Sequence, residues 1–303
     1  MKDDTIYRLI KFCIRIIGTI PRPVARRISN FIGRLWYAID QRHRTVVLEN
    51  IGHAYGSTMT NLEIKKMARQ IFKNIAGMLF EVSWAYNLKP DQLAEHISFK
   101  GWEHLEAAIS KNRGVLTLTC HMGNWELLCW GVSMRLKDTG VIYRKLDYPP
   151  LDRFMLEYRE RFGAKLIPLK RASRKVDELF AEKYVVGTLF DQSVDWYQGC
   201  YVDFFGRLAC TNRGVASLVM RTGVPVVPMF IIRDKENFII EFLPEVPTVV
   251  TDDRTKDLEV NTQNYTSAVE TMIRCCPEQW FWVHNRWKTK AFCPWPRAVG
   301  IRY

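Results

Sequence analysis

Apolar residues recur with a helical period through the first third of the chain. Nine of them lie three or four positions apart between residues 61 and 90: Ile64, Met67, Ala68, Ile71, Ile75, Met78, Leu79, Val82 and Tyr86. This spacing places them on one face, so it predicts a long amphipathic helix with Asn61 as its cap and Pro90 as its stop. We also predict a first helix that ends at Pro21 and Pro23, and helical structure over about residues 24–55.

The pattern changes after residue 98, where short apolar runs alternate with helical periods. Strands are predicted over residues 115–119, 141–143, 165–168, 185–191, 226–232 and 238–242. Helices are predicted near residues 102–110, 125–137, 151–162, 173–183, 212–222 and 262–275. The alternation predicts an α/β fold with a central mixed sheet flanked by helices over residues 98–303, behind a helical region of residues 1–97.

The first predicted helix, over about residues 4–20, is amphipathic. Arg8, Lys11 and Arg15 form one stripe, and the opposite side carries Ile6, Leu9, Ile10, Cys13 and Ile17. The apolar stretch is interrupted by these cations and is too short to cross a bilayer. The pattern is typical of a helix lying in a membrane interface, although docking on the protein's own core would give the same pattern.

Composition narrows the classes of partner. The chain has 44 Lys and Arg against 32 Asp and Glu, a net charge of +12, which favours an anionic membrane surface, a phosphorylated substrate or a nucleic acid. The content of 10 Trp, 12 Tyr and 16 Phe exceeds what a small basic nucleic-acid module needs, so no nucleic-acid partner is expected. The eight cysteines form no C-x-x-C pair, which predicts reduced, cytosol-facing thiols and no metal site.

A candidate catalytic turn follows the strand predicted over residues 115–119. His121 lies in a tight connection, Asn124 is a candidate cap, and Glu126 falls in the first turn of the next helix. If the loop folds back, the imidazole of His121 meets the carboxylate of Glu126 and is oriented as a general base for a substrate hydroxyl. The alternative is an ordinary turn histidine followed by an acid that complements the helix dipole.

The segment His121-Met-Gly-Asn-Trp-Glu126 resembles a motif of the bacterial lipid A biosynthesis (late) acyltransferases, and is distantly similar to the H-x4-D of glycerophosphate acyltransferases. Further blocks are similar in the same order along nearly the whole chain. They are Leu48-Glu-Asn-Ile51, Val141-Ile-Tyr-Arg144, Tyr158-Arg159-Glu-Arg161, Leu189-Phe-Asp191-Gln192, Val202-Asp-Phe-Phe-Gly206, Thr211-Asn-Arg-Gly214, Thr222-Gly-Val-Pro-Val-Val-Pro228 and Glu278-Gln-Trp-Phe-Trp-Val-His-Asn-Arg-Trp-Lys288.

The resemblance implies a glycerolphosphate-acyltransferase-like fold and an O-acyltransferase without metal or redox cofactor. A fatty acyl chain would pass from an acyl carrier protein or acyl-CoA thioester to a hydroxyl of a phosphorylated glycolipid, at the cytoplasmic face of the cell inner membrane. His121 would be the base and Glu126 its partner. The implied substrate contacts are Asn124, Arg144, Arg159, Asp191 and Gln192.

Several alternatives stay open. The third block lacks a proline that is common in lipid A enzymes, which leaves a lysophospholipid or a phosphatidylinositol mannoside-like glycolipid as other acceptors. Asp191 could instead pair with Arg213, and Arg144 with Asp147 or Glu157. The aromatic cluster of Trp280, Phe281, Trp282, Trp287 and Trp295 fits core packing or an acyl tunnel. A competing class is a non-catalytic basic protein that binds membrane or nucleic acid.

Overall fold

A computed structural model describes residues 2–170 and 172–291. Five helices come first: α1 (Lys2–Gly18), α2 (Arg22–Ile39), α3 (Gln41–Tyr55), α4 (Asn61–Asn87) and α5 (Pro90–Ala94). The strands that follow are β1 (Ile97–Lys100), β2 (Val115–Thr119), β3 (Thr139–Tyr143), β4 (Lys165–Pro168), β5 (Val185–Leu189), β6 (Gly199–Phe204), β7 (Arg207–Asn212), β8 (Val226–Asp234) and β9 (Asn237–Phe242). The helices between and after them are α6 (Trp102–Ile109), α7 (Trp125–Arg135), α8 (Pro149–Glu160), α9 (Ala172–Ala181), α10 (Gly214–Thr222) and α11 (Arg254–Cys275).

The described strands form a seven-stranded sheet in the order β1-β9-β8-β2-β5-β3-β4, with β6 and β7 as a separate hairpin. Neighbours in the sheet run parallel except β8 and β9, which are antiparallel. The predicted α/β class with a central mixed sheet flanked by helices is therefore confirmed. Strand β2 lies between β8 and β5, and all five of its residues are buried, as expected of a strand covered on both faces.

Two boundaries in the helical region differ from the prediction, and polar caps explain both. The segment 24–55 is two helices because Asp40 starts a new one: its Oδ1 accepts a hydrogen bond from the His43 backbone N–H at 3.0 Å. Helix α4 is capped by Thr60 rather than Asn61. The Glu63 carboxylate accepts from the Thr60 N–H at 2.7 Å, and Thr60 Oγ1 accepts from the Glu63 N–H, which completes a capping box.

Helix α1 packs on α4 and α8 through buried Tyr7 and Ile14. Lys11 Nζ lies 2.5 Å from Glu157 Oε1 of α8, so this cation faces the protein. The predicted stripe of three outward cations is therefore corrected: Arg8 and Arg15 are exposed, while Lys11 is drawn inward by a carboxylate.

Helix α2 packs on α4 through its small residues. Ala25, Ser29 and Gly33 are buried, and a Cβ on Gly33 would lie 2.5 Å from Lys73 Cα, so the two helices are in close contact. On α1 and α2, the side that faces away from α4 carries exposed apolar residues. These outward residues are Leu9, Phe12 and Ile16 of α1 and Val24, Ile28, Phe31, Ile32, Leu35 and Ile39 of α2. None of the helices in the described part of the chain combines the length and the hydropathy that a bilayer-spanning segment needs.

Candidate active site

The turn after β2 is shaped by a glycine. Gly123 has a φ of +59°, and a Cβ there would lie 2.0 Å from the carbonyl oxygen of Ile231 on β8, so no larger residue fits without a shift of the backbone. Asn124 follows as the cap of α7. Its Oδ1 accepts from the Leu127 N–H at 3.4 Å, and its Nδ2 donates to Glu81 Oε2 at 2.8 Å. Asn124 was predicted to contact substrate. It is fully buried, and its side chain is used in these hydrogen bonds within the protein.

His121 is held by Asp191 and not by Glu126. Nδ1 of His121 lies 2.7 Å from Asp191 Oδ1, and the His121 backbone N–H donates to Oδ2 at 2.9 Å. The indole Nε1–H of Trp280 donates to the same Oδ2 at 2.7 Å. An ionised carboxylate accepts only, so it places the imidazole proton on Nδ1 and leaves Nε2 free to accept another.

Strand register explains why Asp191 is the partner. β2 and β5 are parallel neighbours with Thr119 opposite Leu189, and the Phe190 N–H continues the ladder to the Thr119 carbonyl at 2.9 Å. His121 and Asp191 each lie two residues beyond this pair, so they meet at the carboxyl end of the sheet. The predicted contact between His121 and Glu126 is thus corrected, because a residue of the adjacent strand's end is already in place.

Glu126 forms a two-point ion pair with Arg159. The guanidinium donates from Nε to Oε2 at 2.8 Å and from Nη2 to Oε1 at 2.7 Å, and both side chains are largely buried. Glu126 lies in the first turn of α7 and Arg159 at the end of α8. Arg159, which was predicted to contact substrate, is therefore paired with a carboxylate of the protein itself. Such planar, bidentate pairing fixes both groups in orientation.

The buried carboxylates set the protonation of the site. Burial by itself would lower the pKa of His121, but the charge and hydrogen bond of Asp191 outweigh it, with a smaller contribution from Glu126, so the pKa is raised. Burial would raise the pKa of Asp191, yet the contacts from His121 and Trp280 hold it below its usual value. Burial raises the pKa of the Cys120 thiol well above its usual value, so the neighbouring sulfur stays protonated.

Aromatic rings enclose the imidazole. The ring of Trp125 stands edge-on to His121 at 4.9 Å between centroids, and Phe281 lies 6.0 Å away. The Phe281 N–H donates to the His121 carbonyl at 2.9 Å, so the chain beyond α11 closes over the turn. In the predicted aromatic cluster, Trp280, Trp282 and Trp287 are buried, in keeping with the core-packing alternative, and Trp295 lies outside the described residues.

The remaining candidates divide between the site and the surface. Nε2 of Gln192 lies 3.5 Å from Nε2 of His121, at the free side of the imidazole. The Arg144 side chain is 80% exposed and stands 3.9 Å from Asp147, which is the ion-pair alternative. Arg213 donates to the Tyr197 carbonyl at 3.4 Å, so the alternative in which it pairs with Asp191 is wrong.

Sequence reasoning missed one polar residue of the site's surroundings, Arg286. It is fully buried, and its Nη1 donates to the Cys210 carbonyl at 2.9 Å. Burial lowers its pKa to about 10, although Asp191 acts in the opposite direction. Its place in the Trp-rich carboxyl-terminal block was the available signal. Over residues 2–170 and 172–291, no set of three His, Cys, Asp or Glu side chains is arranged to hold a metal ion.

An imidazole whose Nδ1 is paired with a buried carboxylate, at the carboxyl end of a central parallel strand, is an arrangement in which histidine can act as a general base. The comparison with protein families gives the particular class. The model of the bacterial lipid A biosynthesis acyltransferases matches residues 4–289, so the chain belongs to this family and is an acyltransferase. The non-catalytic alternative is thereby excluded.

Individual relatives of the chain are also acyltransferases, although their sequence identity to it is low. The chain is 26% identical to the lipid A biosynthesis lauroyltransferase of Escherichia coli over 95% of its length and 91% of that protein. It is 24% identical to the phosphatidylinositol mannoside acyltransferase of Mycolicibacterium smegmatis over 65% of its length and 64% of that protein. Identity to the protein of the same name from Mycobacterium tuberculosis is 24%, over 92% of this chain and 76% of that protein.

Proposed function

We propose that this acyltransferase moves a fatty acyl chain from an acyl carrier protein or CoA thioester to a hydroxyl of a phosphorylated glycolipid such as a lipid A precursor. The observation that carries the proposal is the pairing of His121 Nδ1 with Asp191, which leaves Nε2 as the acceptor nitrogen of the ring. The names of the relatives support a glycolipid acceptor, and both lipid A and phosphatidylinositol mannoside are represented among them.

The chemistry follows from the tautomer. Nε2 of His121 takes the proton of the acceptor hydroxyl as its oxygen attacks the thioester carbonyl carbon. Collapse of the tetrahedral intermediate breaks the C–S bond and forms the ester, and the imidazolium returns its proton to the leaving thiolate. Asp191 stays ionised throughout and stabilises the imidazolium. We propose that Gln192, whose amide nitrogen lies 3.5 Å from Nε2 of His121, contacts the reacting hydroxyl.

We propose a positioning role for Glu126 in place of direct contact with the base. Its carboxylate holds the Arg159 guanidinium beside the site and adds negative potential at His121. We propose that Arg144, exposed just beyond the end of β3, binds a phosphate of the acceptor.

The reaction is tested with purified enzyme, acyl carrier protein thioester and lipid A precursor, followed by mass spectrometry of the lipid. His121→Ala should lower the rate about 10²–10⁴-fold, the usual contribution of a general base. His104→Ala, on the remote helix α6, is the matched control and should leave the rate unchanged. Near wild-type transfer by His121→Ala would overturn the proposal.

The same assay separates the acceptors. Incubations with a phosphatidylinositol mannoside or a lysophospholipid in place of lipid A precursor test the two other acceptors, and an incubation without any lipid measures thioester hydrolysis. An ester product with only one of these lipids assigns the acceptor. Exchange of the acyl carrier protein thioester for acyl-CoA assigns the donor.

We propose that the enzyme works at the cytoplasmic face of the inner membrane, bound through the exposed apolar sides of α1 and α2. Exposed Arg8 and Arg15 would lie at the level of lipid phosphates. Phe31→Glu should weaken co-sedimentation with anionic vesicles, because Phe31 is 65% exposed on that side. Leu62→Glu, an equal charge change at an exposed apolar residue of α4, is the control and should bind as wild type. Equal binding by both variants would refute this orientation.

A further inference from the structure

A cavity lies between α2, α4 and the turn that joins β8 to β9. Its volume is about 290 Å³, at the lower end of what small-molecule sites occupy. None of His121, Asp191, Glu126 and Arg159 lines it. The acyl-transfer chemistry described above makes no use of this cavity.

The lining of the cavity is strongly cationic. Five basic side chains border it: Arg22, Arg26, Lys73, Arg233 and Lys235. The two carboxylates that border it are Glu81 and Glu236. The lining therefore carries three positive charges in excess, and such an excess in a concave, partly desolvated site attracts an anion.

The existing ion pairs leave donors free. Arg233 is paired with Glu81, its Nη2 lying 2.8 Å from Oε2. Arg26 lies 2.6 Å and Arg22 3.3 Å from the carboxylate of Glu236, so these two cations share one acid.

Other donors at the cavity are not paired with any carboxylate of the described residues. Within the described residues, Lys73 and Lys235 make no ion pair. The remaining guanidinium nitrogen of Arg233, Nη1, is buried and has no hydrogen-bond partner in the part of the chain that the structure describes. A buried N–H of a charged group without a partner costs free energy, so an acceptor bound beside Arg233 Nη1 would be stabilised.

The shape of the cavity leaves room for that acceptor. A Cβ on Gly77 of α4 would meet a single neighbour, Ser29 Oγ at 4.0 Å. Both residues border the cavity, and Asn30, Gln70 and Asn74 add further polar groups. Several donors on different sides, with a surplus of positive charge, match a tetrahedral dianion better than a single carboxylate.

We propose that this cavity is a phosphate-binding site separate from the acyl-transfer site, filled by the phosphate group of a lipid headgroup or by free phosphate. Its inner wall contacts the catalytic turn. Glu81 Oε2 accepts from Arg233 Nη2 and also from Nδ2 of Asn124, the cap of α7. A phosphate bound to Arg233 would therefore alter the ion pair of Arg233 with Glu81. Through Glu81 it would alter the hydrogen bond to Asn124, which supports the turn.

Binding is tested on the full chain by calorimetric titration with inorganic phosphate. The wild type should bind one phosphate saturably, and Gly77→Leu should abolish binding because its side chain fills the cavity without changing charge. The matched control is Gly52→Leu on α3, where a Cβ has no neighbour within 4 Å. His121→Ala should bind phosphate as wild type, so a failure of this proposal is distinguishable from a failure of the acyl-transfer mechanism.

A charge variant provides an independent test. Lys73→Gln should weaken phosphate binding about tenfold, the effect of losing one charge-assisted hydrogen bond, and Lys65→Gln on the exposed side of α4 should not. Melting temperatures of all variants serve as the folding control. Absence of saturable binding to wild type, or equal binding by Lys73→Gln and wild type, would overturn the site.

Vesicles distinguish the two sources of phosphate. If Gly77→Leu and Lys73→Gln lose affinity for vesicles containing phosphatidic acid relative to phosphatidylglycerol, the occupant is a phosphomonoester headgroup. If only the titration with inorganic phosphate changes, the occupant is free phosphate. Either result supports the site, and Gly52→Leu and Lys65→Gln control both measurements.

Discussion

Replacement of Asp191 with asparagine should change the tautomer of His121, the proposed catalytic base, without changing the shape of the site. Oδ2 accepts from the His121 backbone N–H and from Trp280 Nε1, whereas Oδ1 accepts from His121 Nδ1. An asparagine oxygen at the Oδ2 position keeps the first two hydrogen bonds. Its amide at the Oδ1 position is a donor, so it forces Nδ1 of His121 to accept and moves the imidazole proton to Nε2.

In the tautomer with its proton on Nε2, this nitrogen of His121 has no lone pair to accept the proton of the acceptor hydroxyl. Loss of the tautomer and of the stabilising charge should lower kcat about 10³–10⁴-fold, roughly 4–5 kcal/mol of barrier. The measurement is the steady-state rate of glycolipid acylation, with circular dichroism as the folding control. A rate within about threefold of wild type would show that Asp191 does not orient the base.

The pH profile gives a second readout. In the wild type the pKa of His121 is raised above its ordinary value of 6.5, so the rate should fall as the pH drops through a value above 6.5 and the base becomes protonated. In Asp191→Asn the carboxylate charge is gone while burial remains, and the acidic limb should move to lower pH. Glu126→Gln should move it less, because Glu126 contributes less to the shift. A larger movement in Glu126→Gln would restore the pairing expected from the sequence.

Two further substitutions test the support of the site. Gly123→Ala should cost about 3 kcal/mol of unfolding free energy, because it combines a left-handed backbone with a clash against Ile231; Gly163→Ala, with a φ of +88° and nothing within 4 Å, should cost about 1 kcal/mol. Equal costs in urea unfolding would contradict the clash. Arg159→Lys should cost about 1.5–3 kcal/mol, because an ammonium keeps one of two hydrogen bonds to Glu126, against less than about 0.5 kcal/mol for exposed Arg174→Lys. Similar losses of unfolding free energy in Arg159→Lys and Arg174→Lys would show that the buried pair stabilises the protein no more than an exposed one.

The sequence predicted most of the sheet because its central strands are continuous apolar runs. It missed the hairpin of β6 and β7, whose turn is unusual. Phe205 and Gly206 both have positive φ, at 57° and 73°, so the two-residue connection uses a conformation that is normally signalled by Asn-Gly. A buried phenylalanine in that position gives no such signal.

The position of His121 was predictable, but the carboxylate that pairs with it was not. The strand-turn-helix pattern placed His121 in the turn after β2, where the structure has it. Its partner depends on which strand lies beside β2, and the answer is β5, about seventy residues further along the chain. Local patterns do not encode this adjacency. Once it is known, the equal offsets of His121 and Asp191 beyond Thr119 and Leu189 identify the pair.

The turn that carries His121 is completed by residues of the segment that follows α11, which the ribosome adds only after the last described strand. Gly123 N–H donates to the Gln279 carbonyl at 3.0 Å, Phe281 N–H to that of His121, and the Trp280 indole to Asp191. A nascent chain that ends before residue 279 has every described strand of the sheet but lacks the Gln279 acceptor and the Trp280 and Phe281 donors of these three hydrogen bonds. Translation that stops between residues 243 and 278 would thus release a chain with its described sheet residues present and His121 without this support.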